Sequence, residues 1–300
     1  LEHVKKLIVV VGPTAVGKTA VAIDLAKHFR TEIVSADSRQ IFRELNIGTA
    51  KPSGAELAQV PHHFINTHSI QEAYDAAQYG HDALEVIHRL FKRNNEVILC
   101  GGSGLYVKAV CEGFDDIPEV PAQIREELSA TYERGGIEAL QALMMEHDPQ
   151  LYATIDQKNP HRLMRALEVK LGTGLSIASF RKKNTLQHPF TIVKIGLTLP
   201  REILYERIDR RMDLMIEAGL FAEAEALYPL RAINALQTVG YQEIFDFMEG
   251  QYDREEAVRL LKRNSRRYAK RQLTWFTRDP QVQWFGPAEV EKIIEVVKNA

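Results

Sequence analysis

Cysteine is almost missing: Cys100 and Cys111 are the only two in 300 residues, and no Cys/His spacing of the zinc-binding kind occurs. That excludes a disulfide framework and a zinc module, and suits reduced thiols in a reducing compartment. No apolar run approaches transmembrane length, and no charged-then-apolar leader opens the chain, so a cytoplasmic protein with no membrane attachment is the default expectation. Low-complexity segments and internal repeats are missing as well. A formal net charge of −2 excludes a polycation that coats nucleic acid indiscriminately. What remains, 45% apolar and 26% charged, is an ordinary globular composition. The length suits one large α/β domain or a domain with an insertion.

Against that background one stretch carries chemistry. Gly12-Pro13-Thr14-Ala15-Val16-Gly17-Lys18-Thr19 fits G-x-x-x-x-G-K-[ST], the loop that cradles a di- or triphosphate. Lys6 to Val11 before it reads as a buried parallel strand, and Val21 to Phe29 after it as an amphipathic helix. Glycines let backbone N–H groups turn inward, the helix N-terminus adds partial positive charge, Lys18 supplies a full charge, and Thr19 can ligate Mg²⁺. The pattern names the anion without naming the reaction.

Glu32 to Ala36 reads as a second strand ending on Asp37, and Val97 to Cys100 as a third that breaks into Gly101-Gly102-Ser103-Gly104. Ala73 to Lys92 between them is a helical crossover. These turns gather at the carboxyl edge of an open parallel sheet, where ligands of such sheets bind. From about residue 115 to 190 the chain reads as an all-helical insertion, broken at Gly135-Gly136, Asp148-Pro149 and Asn159-Pro160. Strand character resumes at Thr191 to Leu197, followed by a helix with Pro200 in its first turn, reaching about Ala218. The expected organisation is a P-loop NTPase-like parallel sheet flanked by helices: core over 1–114, helical insertion over 115–190, and core resumed over 191–300.

Three further features leave alternatives open. Asp37 is a Mg²⁺-organising carboxylate, a general base near the phosphates, or a helix cap. Arg207 and Arg211, one helical turn apart, clamp phosphates or belong to a solvated face paired with Glu202, Glu206 and Asp209. Between Arg254 and Arg278 stand nine basic and two acidic side chains, a local excess of seven positive charges. Seven of these cations, including Arg266 and Lys270, fall on about half of a helical wheel, with Leu261, Tyr268 and Trp275 opposite. Such an arc repels itself unless it meets an anion, and favours nucleic acid over a solvated face. His62-His63 has no carboxylate at ligand spacing nearby and reads as pocket or structural.

With these pieces placed, the chain resembles the bacterial tRNA isopentenyltransferases, the tRNA dimethylallyltransferase family. The likeness runs over nearly its whole length, through Asp37 to Arg43, Ile47 to Pro52, His62-His63, Gly101 to Tyr106, Asn159 to Arg162, Arg165 to Glu168 and Lys270 to Trp275. It implies transfer of a dimethylallyl group from dimethylallyl diphosphate to N6 of the adenine 3′-adjacent to the anticodon, releasing diphosphate. On this resemblance Asp37 is the general base, and Ser103, where the family usually has threonine, orients the reacting groups. Gly12 to Thr19 hold the diphosphate with Mg²⁺ as cofactor, and Arg211 with Arg207 neutralises it. Asp37, Ser38, Arg39, Gln40, Ser103, Arg125, Asn159, Pro160, His161, Arg162 and Leu163 match tRNA-contacting positions.

The partners implied are the tRNA anticodon stem-loop and dimethylallyl diphosphate, with no obligate protein partner, and the loop is also one that binds ATP in other proteins. Departures stand at Arg39 and Phe42, where methionine and tyrosine are common, and at Gln242, where a basic residue is. The rival readings are a P-loop metabolite kinase and a non-catalytic RNA binder using the loop as a switch; both leave Gly101 to Tyr106 and Lys270 to Trp275 unexplained.

Overall fold

Lys6–Val11 forms β1, in which Leu7, Ile8, Val9 and Val10 are wholly buried. Alternate residues enter different cores, Leu7, Val9 and Val11 on one face and Ile8 and Val10 on the other. Burial on both faces is what a parallel sheet demands, and explains why this strand is a continuous apolar run. The computed structural model describes residues 4–115, 117–180 and 186–300.

The other strands are β2 (Ile33–Ser35), β3 (His62–His63), β4 (Glu96–Gly101), β5 (Thr191–Leu197) and β6 (Gln283–Phe285). All neighbours pair in parallel in the order β3-β2-β4-β1-β5-β6. Helices α1 (Lys18–Phe29), α2 (Gly54–Leu57), α3 (Ala76–Phe91) and α4 (Gly104–Cys111) precede the insertion. The insertion contains α5 (Ala122–His147), α6 (Pro149–Tyr152) and α7 (Pro160–Thr173). After it come α8 (Arg201–Glu217), α9 (Leu220–Leu227), α10 (Gln242–Met248), α11 (Arg254–Phe276) and α12 (Val290–Asn299). The P-loop-type parallel sheet flanked by helices is therefore the fold.

Boundaries differ from the expected ones for local reasons. The crossover helix α3 begins at Ala76 because the Asp75 side chain accepts from the N–H groups of Ala77 and Gln78 and caps it. Pro200 is extended and precedes the first turn of α8, one position earlier than expected. Helix α1 starts at Lys18, which places Lys18 and Thr19 in its positive first turn.

The chain divides into two compact units, Leu1–Gly113 with Leu186–Ala300, and Phe114–Thr185. The helical unit ends before the expected residue 190. Leu186 N–H donates to Glu112 O at 3.0 Å, a His188 ring nitrogen lies 3.1 Å from Cys111 O, and Phe190 packs against Phe91, all within the sheet unit. The helical unit has its own core of Leu128, Leu140, Met144, Leu151, Leu163, Ala166 and Leu167. Its breaks fall where the sequence places them: Gly136 interrupts α5, and Asp148 and Asn159 cap the helices that follow.

Candidate functional site

The P-loop leaves β1 beside β5, and a Cβ added to Gly12 would stand 2.7 Å from Leu197 O, so glycine alone lets the turn pass this closely. Lys18 Nζ donates to Gly12 O at 3.1 Å and Pro13 O at 2.8 Å, folding back over its own loop. Burial draws Lys18 down from its ordinary 10.5 to about 8, with Arg211 adding repulsion. A diphosphate bound there would favour the charged amine, so its affinity would be full below pH 8 and fall as pH rises through it. We expect calorimetry of Mg²⁺-diphosphate binding to show a loss of at most about tenfold per pH unit above 8, absent in Lys18→Arg.

Helix α8 brings its arginines onto this loop. Arg211 Nη2 donates to Thr14 Oγ1 at 2.7 Å, and Arg207 Nη1 reaches Val16 O at 3.4 Å. The alternative of a solvated face paired with Glu202, Glu206 and Asp209 fails for Arg211, which donates into the loop, while Arg207 stays exposed; Asp209 takes Arg266 of α11, Nη1 lying 2.5 and 2.6 Å from its two oxygens.

Asp37 follows β2 at the same sheet edge. Its Oδ1 accepts from the N–H groups of Arg39 at 2.9 Å and Gln40 at 3.2 Å, and Oδ2 has no hydrogen bond among the described residues. Among the described residues it caps no helix and forms no ion pair; one oxygen is anchored and the other is not. Ser103 Oγ accepts from Ser38 N–H at 3.0 Å and donates to Ser38 Oγ at 3.2 Å, tying the glycine-rich turn after β4 to the residue beside Asp37.

Two cavities meet here. One of about 580 Å³ is lined by Lys18, Thr19, Asp37, Arg207 and Arg211 among others. A second of about 790 Å³ is lined by Ser38, Ser103, Tyr106, Arg271 and Trp275 among others. Arg39, Tyr268 and Gln272 line both. The first is cationic and suited to a diphosphate; the second offers aromatic faces and arginine, the surfaces on which unstacked bases settle. Burial pushes the Tyr268 hydroxyl up to about 12, with the charge of Asp37 acting in the same direction, so it stays protonated at neutral pH.

Among the described residues no cluster of three or more His, Cys, Asp or Glu is placed to hold a metal. Mg²⁺ commonly binds through one or two protein oxygens together with a substrate's phosphates. The Thr19 hydroxyl, a hard oxygen donor on the cationic cavity, matches that need.

Several sequence expectations change. Three cations of the α11 arc pair within the chain: Arg266 with Asp209, Lys262 2.6 Å from Asp213, and Arg259 2.5 Å from Glu256 at the surface. Arg263, Arg267, Lys270 and Arg271 have no ion pair among the described residues, and the last three are exposed. Gln40 Nε2 donates to Thr49 O and Ala50 O, both at 3.2 Å, and so supports a neighbouring loop. In the helical unit Leu163 is wholly buried, so its side chain packs that unit's core and offers nothing to a ligand. Asn159 caps α7 by accepting from Arg162 N–H, with Pro160 in the first turn, and Arg125 lies 3.1 Å from Glu168. His161 and Arg162 are exposed. His63 does have a carboxylate partner, Glu32 at 2.7 Å, which stands just before β2 and is brought near only by folding.

Other contributors were missed. Glu223 of α9 accepts from three successive N–H groups, Asn46 at 3.1 Å, Ile47 at 2.8 Å and Gly48 at 2.9 Å, and from the Tyr241 hydroxyl at 2.6 Å. The Ile47 to Pro52 string is thus a docked loop on the cavity wall. Nothing in the sequence pairs Glu223 with it. Tyr268 was legible only as part of the stripe opposite the α11 cations, and Gln272 only as a member of the Lys270 to Trp275 string.

A family model described as IPP transferase matches residues 40–279. The tRNA dimethylallyltransferase of Cytophaga hutchinsonii is 52% identical over 294 residues, covering 98% of this chain and 97% of that protein. That of Christiangramia forsetii is 48% identical over 288 residues, covering 96% and 95%. Among solved structures, the full-length tRNA isopentenylpyrophosphate transferase of Bacillus halodurans has a TM-score of 0.71 at 40% identity, covering 98% of this chain and 95% of that one. A eukaryotic dimethylallyltransferase acting on tRNA has a TM-score of 0.75 at 26% identity, covering 90% and 69%.

Proposed function

The chain belongs to the IPP transferase family of tRNA dimethylallyltransferases, and from that premise we propose how its own residues carry out the transfer of a dimethylallyl group from dimethylallyl diphosphate to N6 of the adenine 3′-adjacent to the anticodon. It is a transferase that prenylates tRNA adenosine. The observation that carries the assignment of roles is the placement of Asp37, with its unanchored Oδ2, on the cavity that also holds Lys18 and Arg211.

The diphosphate lies in the P-loop against Lys18, Arg207 and Arg211, and its isoprenoid C1 faces Asp37. The adenine enters through the second cavity, past Arg39 and Tyr268. The N6 lone pair forms the bond to C1, the C1–O bond breaks, and its electron pair leaves with diphosphate. Asp37 Oδ2 takes the proton that N6 sheds. An exocyclic amine is a weak nucleophile, so a positioned base and a stabilised leaving group are the two needs of this step. Mg²⁺ held at Thr19 would neutralise further diphosphate charge. A base stacked in the anticodon loop must be extruded to reach this depth, which calls for grip on the RNA backbone. The exposed Arg267, Lys270 and Arg271 supply it on α11, and His161 and Arg162 are the corresponding exposed residues of the helical unit.

The reading is tested with Mg²⁺, labelled dimethylallyl diphosphate and two tRNA transcripts that differ only in carrying adenine or guanine 3′ of the anticodon. Label should enter the adenine transcript alone; label in both, or in neither, contradicts it. The internal ion pairs of α11 separate two of its cations. For Lys270→Ala we expect the slope of log tRNA affinity against log salt to become shallower by about one, and for Arg266→Ala to stay unchanged with lower thermal stability. Filter binding between low and moderate salt checks both.

A further inference from the structure

Gln272 stands on α11 with 6% of its surface exposed, between the two loops that carry the chemistry. Its Oε1 accepts from Thr14 N–H at 2.8 Å, and its Nε2 donates to Gly102 O at 2.9 Å. A Cβ at residue 102 would press on that Nε2, so glycine is what lets the amide approach. Each contact leads onward. Thr14 accepts from Arg211, which belongs to the diphosphate grip. Gly102 precedes Ser103, whose hydroxyl holds Ser38 beside Asp37. An amide is the neutral side chain that accepts at one atom and donates at the next, as this position requires.

We infer that Gln272 is a positioning residue that sets the spacing between the diphosphate grip and the general base, through Thr14 on one side and Gly102 with Ser103 on the other. The inference rests on the prenyl-transfer reading. Because reacting groups misplaced by about an ångström lose on the order of a hundredfold in rate, two hydrogen bonds that fix this spacing act on turnover more than on substrate affinity.

The test compares Gln272→Leu and Gln272→Glu with the wild-type protein. In Gln272→Leu both hydrogen bonds are lost, and kcat should fall by about 10- to 100-fold while KM for tRNA stays within about threefold. Calorimetry with Mg²⁺ and inorganic diphosphate should show affinity reduced by about three- to tenfold, because Thr14 is released. The glutamate is informative through pH: as a carboxylate it keeps the bond from Thr14 and repels Gly102 O, and protonated it donates to Gly102 O as the amide does. Lys18, Asp37, Arg39, Cys100, Arg211 and Tyr268 line the cavity around it and are common to both proteins. The ratio of Gln272→Glu to wild-type activity should therefore rise as pH falls from about 8.5 to about 6, while that of Gln272→Leu stays flat. Wild-type kcat in Gln272→Leu, a rate loss matched by loss of folded protein, or a flat glutamate ratio would overturn the inference. A wild-type protein that binds diphosphate without prenylating tRNA would contradict the reaction instead, and the calorimetric comparison would still decide the role of Gln272.

Discussion

Replacing Asp37 by asparagine is expected to lower kcat by about 10³-fold, within the range a positioned general base contributes, while tRNA affinity changes by less than about threefold. The substitution is chosen for its geometry. Oδ1 accepts the N–H groups of Arg39 and Gln40, and asparagine keeps that acceptor, so the loop that follows β2 retains its turn. What is lost is the proton acceptor at Oδ2. Asp37→Ala removes the turn as well and should weaken tRNA binding in addition to turnover. Single-turnover rates with saturating dimethylallyl diphosphate, together with equilibrium tRNA binding, separate the two effects. A fall in binding comparable to the fall in rate for Asp37→Asn would contradict the base assignment.

Arg211→Gln should produce the second large effect, a loss of about 10² to 10³ in kcat/KM for dimethylallyl diphosphate, the magnitude associated with removing one donor from developing negative charge. Burial draws the Arg211 guanidinium down from its ordinary value, with Asp37 opposing, and the group still remains charged at neutral pH. Its donation to Thr14 Oγ1 places one edge against the loop. Product inhibition by diphosphate should weaken in parallel, because ground state and departing group share this contact. Arg211→Lys is expected to recover only part of the loss, since a point charge cannot serve Thr14 and a phosphate oxygen together with the geometry of a planar fork. Full activity in the lysine variant would reduce the role of Arg211 to charge alone.

How far the sequence revealed this site depends on how local each requirement is. The P-loop was legible because a glycine turn, a lysine and a hydroxyl sit in eight consecutive residues and feed directly into a helix. Asp37 was legible as a strand end, although only its oxygen partners, the Arg39 and Gln40 N–H groups, set the helix-cap reading aside. The one-turn spacing of Arg207 and Arg211 told that they share a face and not which way that face turns; α8 settles it by crossing the P-loop.

Arg266 shows the opposite case. On the wheel it belongs with Lys270, and only the packing of α11 on α8 gives it Asp209, 57 residues away in the chain. Short elements were unreadable for a related reason. β3 has two residues and β6 three, too few for a period, and they exist because neighbouring strands offer edges to pair with. Leu163 was assigned by motif position, whereas its neighbours in α7 point it into the helical unit's core. Resemblance supplied the reaction, and the fold adds that the Leu163 side chain serves the helical unit's core.

In the proposed reaction the P-loop holds a leaving group while carbon, rather than phosphorus, is attacked. Dimethylallyl diphosphate labelled with one isotope at C1 and another in its phosphates tests this directly when incubated with the protein, Mg²⁺ and tRNA. The predicted result is carbon label in tRNA adenine and all phosphorus label in intact diphosphate, in equal amounts. Phosphorus label in tRNA, or its release as orthophosphate in step with turnover, would contradict it.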